Sequence, residues 1–266
     1  MIDEVAQVLA DAAAIAIRPR FCCLTAGDVV EKAPGDLVTV ADREAEQLIS
    51  QGLREILDIP VVGEEAVAED PSRLTALGEA FCWLVDPVDG TSNFVAGRPE
   101  YAVMAALLHH GEAVAGWILL PESGQLYMGE RGAGAFRDGA RIGRLVPPVE
   151  IERLRGAAPT KRLTPQEHAE LSAAGARFAS LGPGALSAGV NYAWILNGDI
   201  DFVLYQRSLP WDHAAGALLL SEVGGVSVRP DGTPYRLADG QNARLLNAAD
   251  PASSQAVQAV LWGGRI

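Results

Sequence analysis

The sequence has few cysteines and aromatic residues, and it lacks a long apolar run. The three cysteines, Cys22, Cys23 and Cys82, are odd in number and two are adjacent, which argues against a disulfide framework and for reduced thiols. The longest apolar stretch, 101–108, is strand-like and too short to cross a bilayer. No basic lead precedes an apolar segment at the start of the chain. We therefore predict no signal peptide and expect a cytoplasmic location.

Positive charge is also scarce. The chain has 21 Lys and Arg residues against 34 Asp and Glu residues, which gives a formal net charge of −13. Such a surface repels nucleic acids and anionic membranes, so neither is expected as a partner. It would equally repel a phosphorylated ligand unless bound cations supplied local positive charge.

Several hydrolytic and phosphate-binding motifs are missing. No G-x-x-x-x-G-K-[ST] loop, D-x-D-x-T block or G-x-S-x-G turn occurs. The histidines show no H-E-x-x-H or similar ligand spacing; they are His109, His110, His168 and His213. A P-loop enzyme, a haloacid-dehalogenase-type phosphatase and a zinc enzyme are therefore not predicted.

The apolar pattern of the first half predicts two helices followed by a sheet. Residues 3–17 have helical spacing, and a second helix begins at a capping box, Thr39 to Asp42, and continues to Leu57. Strands are predicted at 59–62, 81–85, 101–108, 113–120, 125–128 and 135–136, with turns at Gly111 and at Asp138-Gly139. Consecutive strands without helices between them indicate an antiparallel sheet.

The second half has a different pattern. Pro147-Pro148 marks a boundary between sub-regions 1–146 and 147–266 of one fold that spans residues 1–266. Beyond it, helices predicted at 187–196, 212–223 and 251–261 alternate with short strands such as 200–205. The whole chain is predicted to be a layered α/β protein with a smaller α/β second half.

The strongest chemical signal lies in residues 83–93, WLVDPVDGTSN. A buried strand delivers Asp86 at its carboxyl end, and Asp89 follows after a turn. Gly90 then allows the backbone to approach a ligand, and Thr91-Ser92 opens a short helix whose free N–H groups suit phosphate. Two carboxylates beside such a helix predict a site for divalent cations and phosphate. The alternative is an ordinary strand end, with Asp89 capping the helix.

Four blocks of sequence resemble the inositol monophosphatase family. Its members are Mg²⁺-dependent phosphomonoesterases of the lithium-sensitive type. The blocks are 36–46 (DLVTVADREAE), 63–65 (GEE), 83–97 (WLVDPVDGTSNFVAG) and 211–225 (WDHAAGALLLSEVGG). They follow the family's order and approximate separations, so the resemblance covers nearly the whole chain. It implies an α-β-α-β-α sandwich of the sugar-phosphatase type, a homodimer, and a small phosphorylated metabolite as substrate.

The resemblance also implies roles for individual residues. Two or three Mg²⁺ ions would be held by Glu64, Asp86, Asp89, Asp212 and the carbonyl of Val88, with Asp86 bridging two ions. The attacking water would be positioned and activated by Asp42, Thr91 and Glu64. The phosphate and the rest of the substrate would contact Gly90, Thr91, Ser92, Ser187, Tyr205 and Arg207. Besides Asp89, three of these acids also have an ordinary alternative: helix capping for Asp42 and Asp212, and a loop position for Glu64.

Two positions depart from the family pattern and leave the substrate open. Inositol-selective members carry a glutamate about seven residues before the W-D block, where this chain has Tyr205. A family Gly-[ST]-Ala segment aligns with Leu186-Ser187-Ala188, so its glycine is replaced. Arg207 could meet a second anionic group or could be solvated.

The family's range leaves four candidate substrates: inositol phosphates, fructose 1,6-bisphosphate, histidinol phosphate and 3′-phosphoadenosine 5′-phosphate. A hypothesis of another class is a catalytically idle relative that acts as a regulatory protein- or RNA-binding protein. The retention of every matched acid argues against this second hypothesis, and the net charge of −13 argues against RNA.

Overall fold

The computed structural model describes residues 1–240 and 243–263. Within these ranges the α-helices are α1 (Ile2–Ala12), α2 (Val40–Ile56), α3 (Glu64–Glu69), α4 (Thr91–Val95), α5 (Pro165–Gly175), α6 (Ala188–Asn197), α7 (Pro210–Glu222) and α8 (Pro251–Trp262). The β-strands are β1 (Val29–Ala33), β2 (Asp36–Thr39), β3 (Val61–Gly63), β4 (Phe81–Asp89), β5 (Ala102–His109), β6 (Glu112–Leu120), β7 (Gln125–Glu130), β8 (Gly134–Arg137), β9 (Ala140–Arg141), β10 (Arg155–Ala157), β11 (Ser180–Gly182), β12 (Phe202–Tyr205), β13 (Val226–Val228) and β14 (Leu245–Ala248). None of the described helices combines the length and the apolar character that a bilayer crossing requires.

The elements stack in five layers. Helices α1 and α2 cover one face of a seven-stranded sheet of order β3-β4-β5-β6-β7-β8-β9. Helices α6 and α7 lie between this sheet and a five-stranded sheet of order β11-β10-β12-β14-β13. Helices α5 and α8 pack on the far side of the second sheet. This arrangement confirms the predicted layered α/β fold.

Helix α2 begins at the predicted capping box. The Thr39 side chain accepts hydrogen bonds from the N–H groups of Ala41 and Asp42, and the Asp42 carboxylate accepts one from the N–H of Thr39 at 2.9 Å. The apolar face of the helix is fully buried against the sheet through Ala45, Ile49 and Leu53. The other predicted N-terminal helix differs in form, because it is α-helical to Ala12 and continues as a π-helical turn, Ala13–Ile17.

The seven-stranded sheet is antiparallel from β4 to β9, as predicted, but its edge strand β3 is parallel to β4. Val61 pairs with Trp83 and Gly63 with Val85. Parallel strands end at the same edge of a sheet, so the residues that follow β3 lie beside the end of β4. The sequence pattern did not indicate this crossover, and it brings Glu64 close to Asp86.

The second sheet is mixed. Strand β10 is parallel to β11 and β12, whereas β14 is antiparallel to both β12 and β13. A separate hairpin of β1 and β2, with Val29 opposite Thr39, was not predicted. It places Lys32 and Gly35 next to the site described below.

Candidate active site

Asp86 and Asp89 lie at the end of β4, where the strand contains a β-bulge. Asp86 is opposite Met104 and Asp89 is opposite Ala102, so three steps along β4 match two steps along β5. In a regular strand, residues three apart face opposite sides of the sheet. The extra residue of the bulge offsets this alternation, so both carboxylates lie on the same side of the sheet. The intervening proline has no N–H to donate and is tolerated where the ladder is interrupted.

Asp212 reaches the same point from the second half of the chain. It lies in the first turn of α7, two residues after the helix begins at Pro210. One carboxylate oxygen from each of Asp86, Asp89 and Asp212 lies within 4.8 Å of the other two. Three hard oxygen ligands at this separation form a candidate metal site of the kind that Mg²⁺ prefers.

Burial and mutual repulsion make the charged forms of these three acids unfavourable. Burial, followed by the charges of the neighbouring acids, raises the pKa of Asp86 and of Asp212 well above the ordinary range. Burial also raises the pKa of Asp89 to about 6, and hydrogen bonds from the start of α6 limit the rise. A divalent cation fits this donor set because it would neutralise the charges that repel one another.

Asp89 also joins the two halves of the chain. Its Oδ2 accepts hydrogen bonds from Ser187 Oγ at 2.5 Å and from Gly189 N at 2.7 Å, and its Oδ1 accepts one from Ala188 N at 3.0 Å. Asp89 therefore caps α6 rather than α4, whose N-cap is Gly90. Ser187, a predicted substrate contact, is hydrogen-bonded to a candidate metal ligand, and its contact with substrate stays a prediction.

Glu64 is placed by a buried carboxylate of α2. Glu46 accepts hydrogen bonds from the N–H groups of Glu65 and Ala66, each at 2.8 Å. The preceding Gly63 permits this approach, because a Cβ there would lie 2.3 Å from Glu46 Cδ. The G-E-E block is thus the start of a short helix whose free N–H groups bind an acid.

Lys32 of β1 forms ion pairs with two further acids beside this site, Glu64 and Glu65. Its Nζ lies 3.1 Å from Glu64 Oε1 and 2.8 Å from Glu65 Oε1. Burial lowers the pKa of Lys32, but the charges of the two glutamates outweigh burial and leave this pKa above its ordinary value. Burial raises the pKa of Glu65 to about 7, and the charge of Glu64 adds to the rise.

Asp42 and Thr91, two of the residues that the resemblance assigns to the attacking water, are hydrogen-bonded to each other. Thr91 Oγ1 lies 3.1 Å from Asp42 Oδ1 and 3.0 Å from the carbonyl oxygen of Val88, so its proton can be donated to either. Burial raises the pKa of Asp42 to about 6, while hydrogen bonds from Thr39 oppose the rise. Of the two acids expected near Thr91, the structure therefore hydrogen-bonds Asp42, not Glu64, to it.

Gly90 adopts a backbone conformation that favours glycine. Its φ is +92°, and a Cβ there would lie 2.9 Å from Ser187 Cβ and 3.2 Å from the carbonyl oxygen of Glu100. Both the left-handed backbone and the close packing require glycine at the turn that leads into α4.

A cavity of about 430 Å³ opens beside the acids. Every predicted site residue except Asp42 lines it: Glu64, Asp86, Val88, Asp89, Gly90, Thr91, Ser92, Ser187, Tyr205, Arg207 and Asp212. Asp42 is buried and reaches the cavity only through its hydrogen bond with Thr91. The structure thus brings together residues that lie far apart in the sequence.

Three basic residues at or next to this cavity were not predicted from the sequence motifs. Lys32 contacts Glu64, and Lys161 and Arg162 line the wall. Lys161 Nζ donates to the carbonyl oxygen of Gly35, at 2.5 Å, and both residues line the cavity. Composition alone could have drawn attention to two of these residues, because Lys32 and Lys161 are the only two lysines in the sequence.

Tyr205 stands where, by the resemblance, inositol-selective members of the family carry a glutamate. Its hydroxyl accepts a hydrogen bond from Asn191 Nδ2 at 3.0 Å, and its ring packs edge-on against His213 with 4.6 Å between centroids. Burial raises the pKa of Tyr205 well above its ordinary value, so the side chain is a neutral phenol at physiological pH.

The five-layer fold and the buried acids beside a cavity define an α/β enzyme with a candidate divalent-metal centre. The model of the inositol monophosphatase family matches residues 1–262, and the chain belongs to this family. The resemblance seen in the sequence is confirmed.

Curated relatives of similar length include phosphatases of several names. The fructose-1,6-bisphosphatase/inositol-1-monophosphatase of Thermotoga maritima is 34% identical over 75% of this chain and 74% of its own. The inositol-1-monophosphatase of Rhizobium meliloti is 34% identical over 76% and 75%, and the histidinol-phosphatase of Chlorobaculum parvum is 33% identical over 74% of each. The chain is accordingly a phosphatase, a phosphoric monoester hydrolase.

Solved structures share the whole architecture. The extragenic suppressor protein suhB of Bartonella henselae superimposes with a TM-score of 0.83 at 26% identity, over 98% of both chains. An inositol monophosphatase of Thermotoga maritima gives a TM-score of 0.81 at 26% identity, over 97% of this chain and 95% of its own.

Proposed function

We propose that the chain hydrolyses a phosphate monoester of a small metabolite with the help of Mg²⁺, in the manner of an inositol monophosphatase. The observation that carries the proposal is the convergence of Asp86, Asp89 and Asp212, from both halves of the chain, on one cavity that Glu64 and Thr91 also line. The proposal includes a homodimer, as the resemblance implies, and the cytoplasmic location expected from the sequence.

The proposed metal ligands are Glu64, Asp86, Asp89, Asp212 and the carbonyl of Val88, for two or three Mg²⁺ ions. When bound, these ions would lower the pKa of the attacking water and stabilise negative charge on the leaving oxygen. The raised pKa values of Asp86 and Asp212 support this set, because bound cations would favour the charged carboxylates that burial disfavours.

The remaining residues orient the reactants. With its proton donated to Asp42, one of its two acceptors, Thr91 keeps the lone pairs of its hydroxyl free to accept a hydrogen bond from the attacking water. The amides of Gly90 and Thr91, with Ser92, hold the phosphate oxygens. Ser187, Tyr205 and Arg207 contact the rest of the substrate.

A phosphate-release assay tests the proposal. The panel contains inositol 1-phosphate, fructose 1,6-bisphosphate, histidinol phosphate, 3′-phosphoadenosine 5′-phosphate and p-nitrophenyl phosphate, each with Mg²⁺ and with EDTA. We expect release that depends on Mg²⁺ from at least one metabolite. Phosphate release that persists in EDTA would contradict the proposed metal centre. The absence of release from every compound would contradict the proposed catalytic activity.

The second hypothesis, an idle regulatory protein, has some support among the relatives. The Neisseria meningitidis relative, 31% identical over 73% of this chain and 74% of its own, is called a putative Nus factor SuhB. The intact acids and the Asp42–Thr91 hydrogen bond favour catalysis, because an idle protein has no need of them. The same phosphate-release panel separates the two hypotheses.

A further inference from the structure

The backbone of Ala185 is held on both sides by buried asparagine side chains. Asn93 Nδ2 donates to the carbonyl oxygen of Ala185 at 2.5 Å, and Asn191 Oδ1 accepts a hydrogen bond from the N–H of Ala185 at 2.9 Å. Asn93 belongs to α4 in the first half of the chain, whereas Asn191 belongs to α6 in the second. These two asparagines, with Ala185 between them, are called the Ala185 clamp below.

Both amides of the clamp make a further hydrogen bond. Asn93 Nδ2 also donates to the carbonyl oxygen of Glu100 at 2.6 Å, and Asn191 Nδ2 donates to the hydroxyl of Tyr205 at 3.0 Å. The backbone partners fix the orientation of each amide, because a carbonyl oxygen only accepts and an N–H only donates. Replacing either asparagine therefore leaves buried backbone groups without their partners.

The loop before α6 is shaped around the clamp. Gly184 has a φ of +73°, and a Cβ there would lie 2.9 Å from Asn191 Oδ1 and 3.3 Å from Ala157 Cβ. Leu186 has a φ of +58°, a conformation that is unfavourable for a leucine. Such a conformation persists where the surrounding structure fixes it. The clamp fixes the residue before Leu186, and Asp89 fixes the residue after it.

The same loop supplies the hydrogen bonds that orient Asp89. Ser187 donates to Asp89 through its hydroxyl, and Ala188 and Gly189 donate through their N–H groups. Ser187 lies only two residues after Ala185, so a shift of the clamp would move all three donors relative to the carboxylate. Groups that orient a metal-binding carboxylate in this way control the affinity for the metal.

We propose that Asn93 and Asn191 are positioning residues for the metal centre. By holding Ala185 they place Ser187 and the start of α6, so that Asp89 presents its carboxylate to a cation. Neither asparagine lines the cavity, so each acts through the loop and not by touching the substrate or the metal. The inference rests on the proposed function, because it takes Asp89 to be a metal ligand.

Asn93→Ala removes one side of the clamp. It should raise the Mg²⁺ concentration for half-maximal activity about tenfold and leave kcat at saturating Mg²⁺ within about twofold of the parent. Asn247→Ala is the matched control, because Asn247 is equally buried in β14 and does not line the cavity. The control should lower Tm without changing the Mg²⁺ dependence. If Asn93→Ala also kept the parent Mg²⁺ dependence, the proposal would be wrong.

A double-mutant cycle tests the route from Asn93 to the metal. Ser187→Ala removes the hydroxyl that donates to Asp89 and should itself raise the Mg²⁺ requirement. Because Asn93 acts by placing Ser187, the increase in Asn93→Ala/Ser187→Ala should be smaller than the product of the two single increases. Increases that multiply would show that the two residues act independently, which would overturn the proposed route.

Hydrogen exchange in EDTA tests the clamp without metal or turnover. The N–H groups of Ala185, Ala188 and Gly189 donate to buried side chains, so the parent should protect all three from exchange. Asn191→Leu removes the acceptor for Ala185 and should lower the protection at all three positions. If only Ala185 lost protection, Asn191 would not place the start of α6, and its proposed role would be refuted.

Metal binding keeps this inference separate from the proposed phosphatase function. The Mg²⁺ affinities of the parent, Asn93→Ala and Asn191→Leu are measured by calorimetry and by the rise in Tm, neither of which needs turnover. If the parent binds Mg²⁺ but releases no phosphate from any compound, the phosphatase function fails and these affinities still decide the role of the clamp. If the parent binds no Mg²⁺, both proposals fail.

Discussion

Asp42 shows how one carboxylate can serve two purposes. Oδ2 accepts hydrogen bonds from the N–H and the hydroxyl of Thr39 and so caps α2, while Oδ1 accepts the bond from Thr91. The capping box was predictable because its residues are three apart. The contact with Thr91 joins residues 49 apart in the chain, and no local pattern encodes it; only the resemblance pointed to it.

Replacing Thr91 by Ala should lower kcat about 100-fold and change KM little, because the hydroxyl orients the attacking water rather than the phosphate. Thr91→Ser keeps the hydroxyl and should retain most of the rate. The steady-state constants of both variants provide the measurement. If Thr91→Ala were as active as Thr91→Ser, the hydroxyl would have no part in the reaction.

Asp89→Asn should abolish turnover while leaving the fold intact. The single amide oxygen can keep the bond from Ala188 N or the bond from Gly189 N but not both, and it supplies no negative charge to a cation. We expect a loss of kcat of at least about 1000-fold, with circular dichroism unchanged. Asp58→Asn, at an exposed position outside the cavity, is the control and should behave as the parent. Full activity in Asp89→Asn would refute the assignment of this ligand.

The bulge in β4 explains why the acids of the D-P-x-D block can act together. The sequence predicted that Asp86 ends a strand and that Asp89 follows a turn, yet both belong to one strand. Alternation along a regular strand would have separated their side chains. The bulge returns both side chains to the same side of the sheet, and it depends on how β4 pairs with β5. The pattern of residues in a single sequence does not specify that pairing.

The crossover from β3 to β4 and the β1–β2 hairpin were missed for a similar reason. Strand β3 has three residues, and β1 has an exposed, polar pattern with Lys32 in it. Short or polar segments give weak periodicity, and their pairing is fixed by contacts with distant parts of the chain. Longer elements with strong apolar periodicity, such as α2, were predicted well.

The contact between α2 and α3 should control metal affinity. Glu46→Gln keeps the shape of the side chain but replaces one acceptor oxygen by a donor, so it cannot bind both N–H groups that place Glu64. We expect the Mg²⁺ concentration for half-maximal activity to rise about tenfold. The shift in Tm on adding Mg²⁺ should move to higher concentrations in parallel.

Glu55→Gln is the control for this prediction. Glu55 lies on the exposed side of α2, where its carboxylate accepts a bond from Gln51. Its replacement should leave the Mg²⁺ dependence unchanged. If Glu46→Gln showed the parent dependence as well, the placement of Glu64 would not depend on this carboxylate.

The stability of the whole molecule should depend on pH and on Mg²⁺ together. Burial raises the pKa of Asp42 and of Asp89 in the folded protein to about 6, from an ordinary value of 3.8. The folded state therefore holds these protons more tightly than the unfolded state. The resulting stabilisation is complete below pH 3.8 and is lost as the pH rises through 6.

In EDTA, Tm should consequently fall between pH 5 and pH 7, by an amount that corresponds to on the order of 2 kcal/mol. Mg²⁺ binds the charged carboxylates and should raise Tm at pH 7 while removing most of this fall. Scanning calorimetry at matched ionic strength measures both effects. A Tm that is unaffected by Mg²⁺ at pH 7 would contradict the cation site.

Because the chain has only two lysines, reagents that modify primary amines have few sites on which to react. Both ε-amines of the chain lie at or next to a single cavity: Lys161 lines it beside Gly35, and Lys32 contacts Glu64, which lines it. Apart from the α-amine of Met1, an acylating or imidating reagent finds no other primary amine to modify. Reagents that label ordinary proteins all over their surface should thus tag this one almost only where its ligands enter, and ligands should protect it.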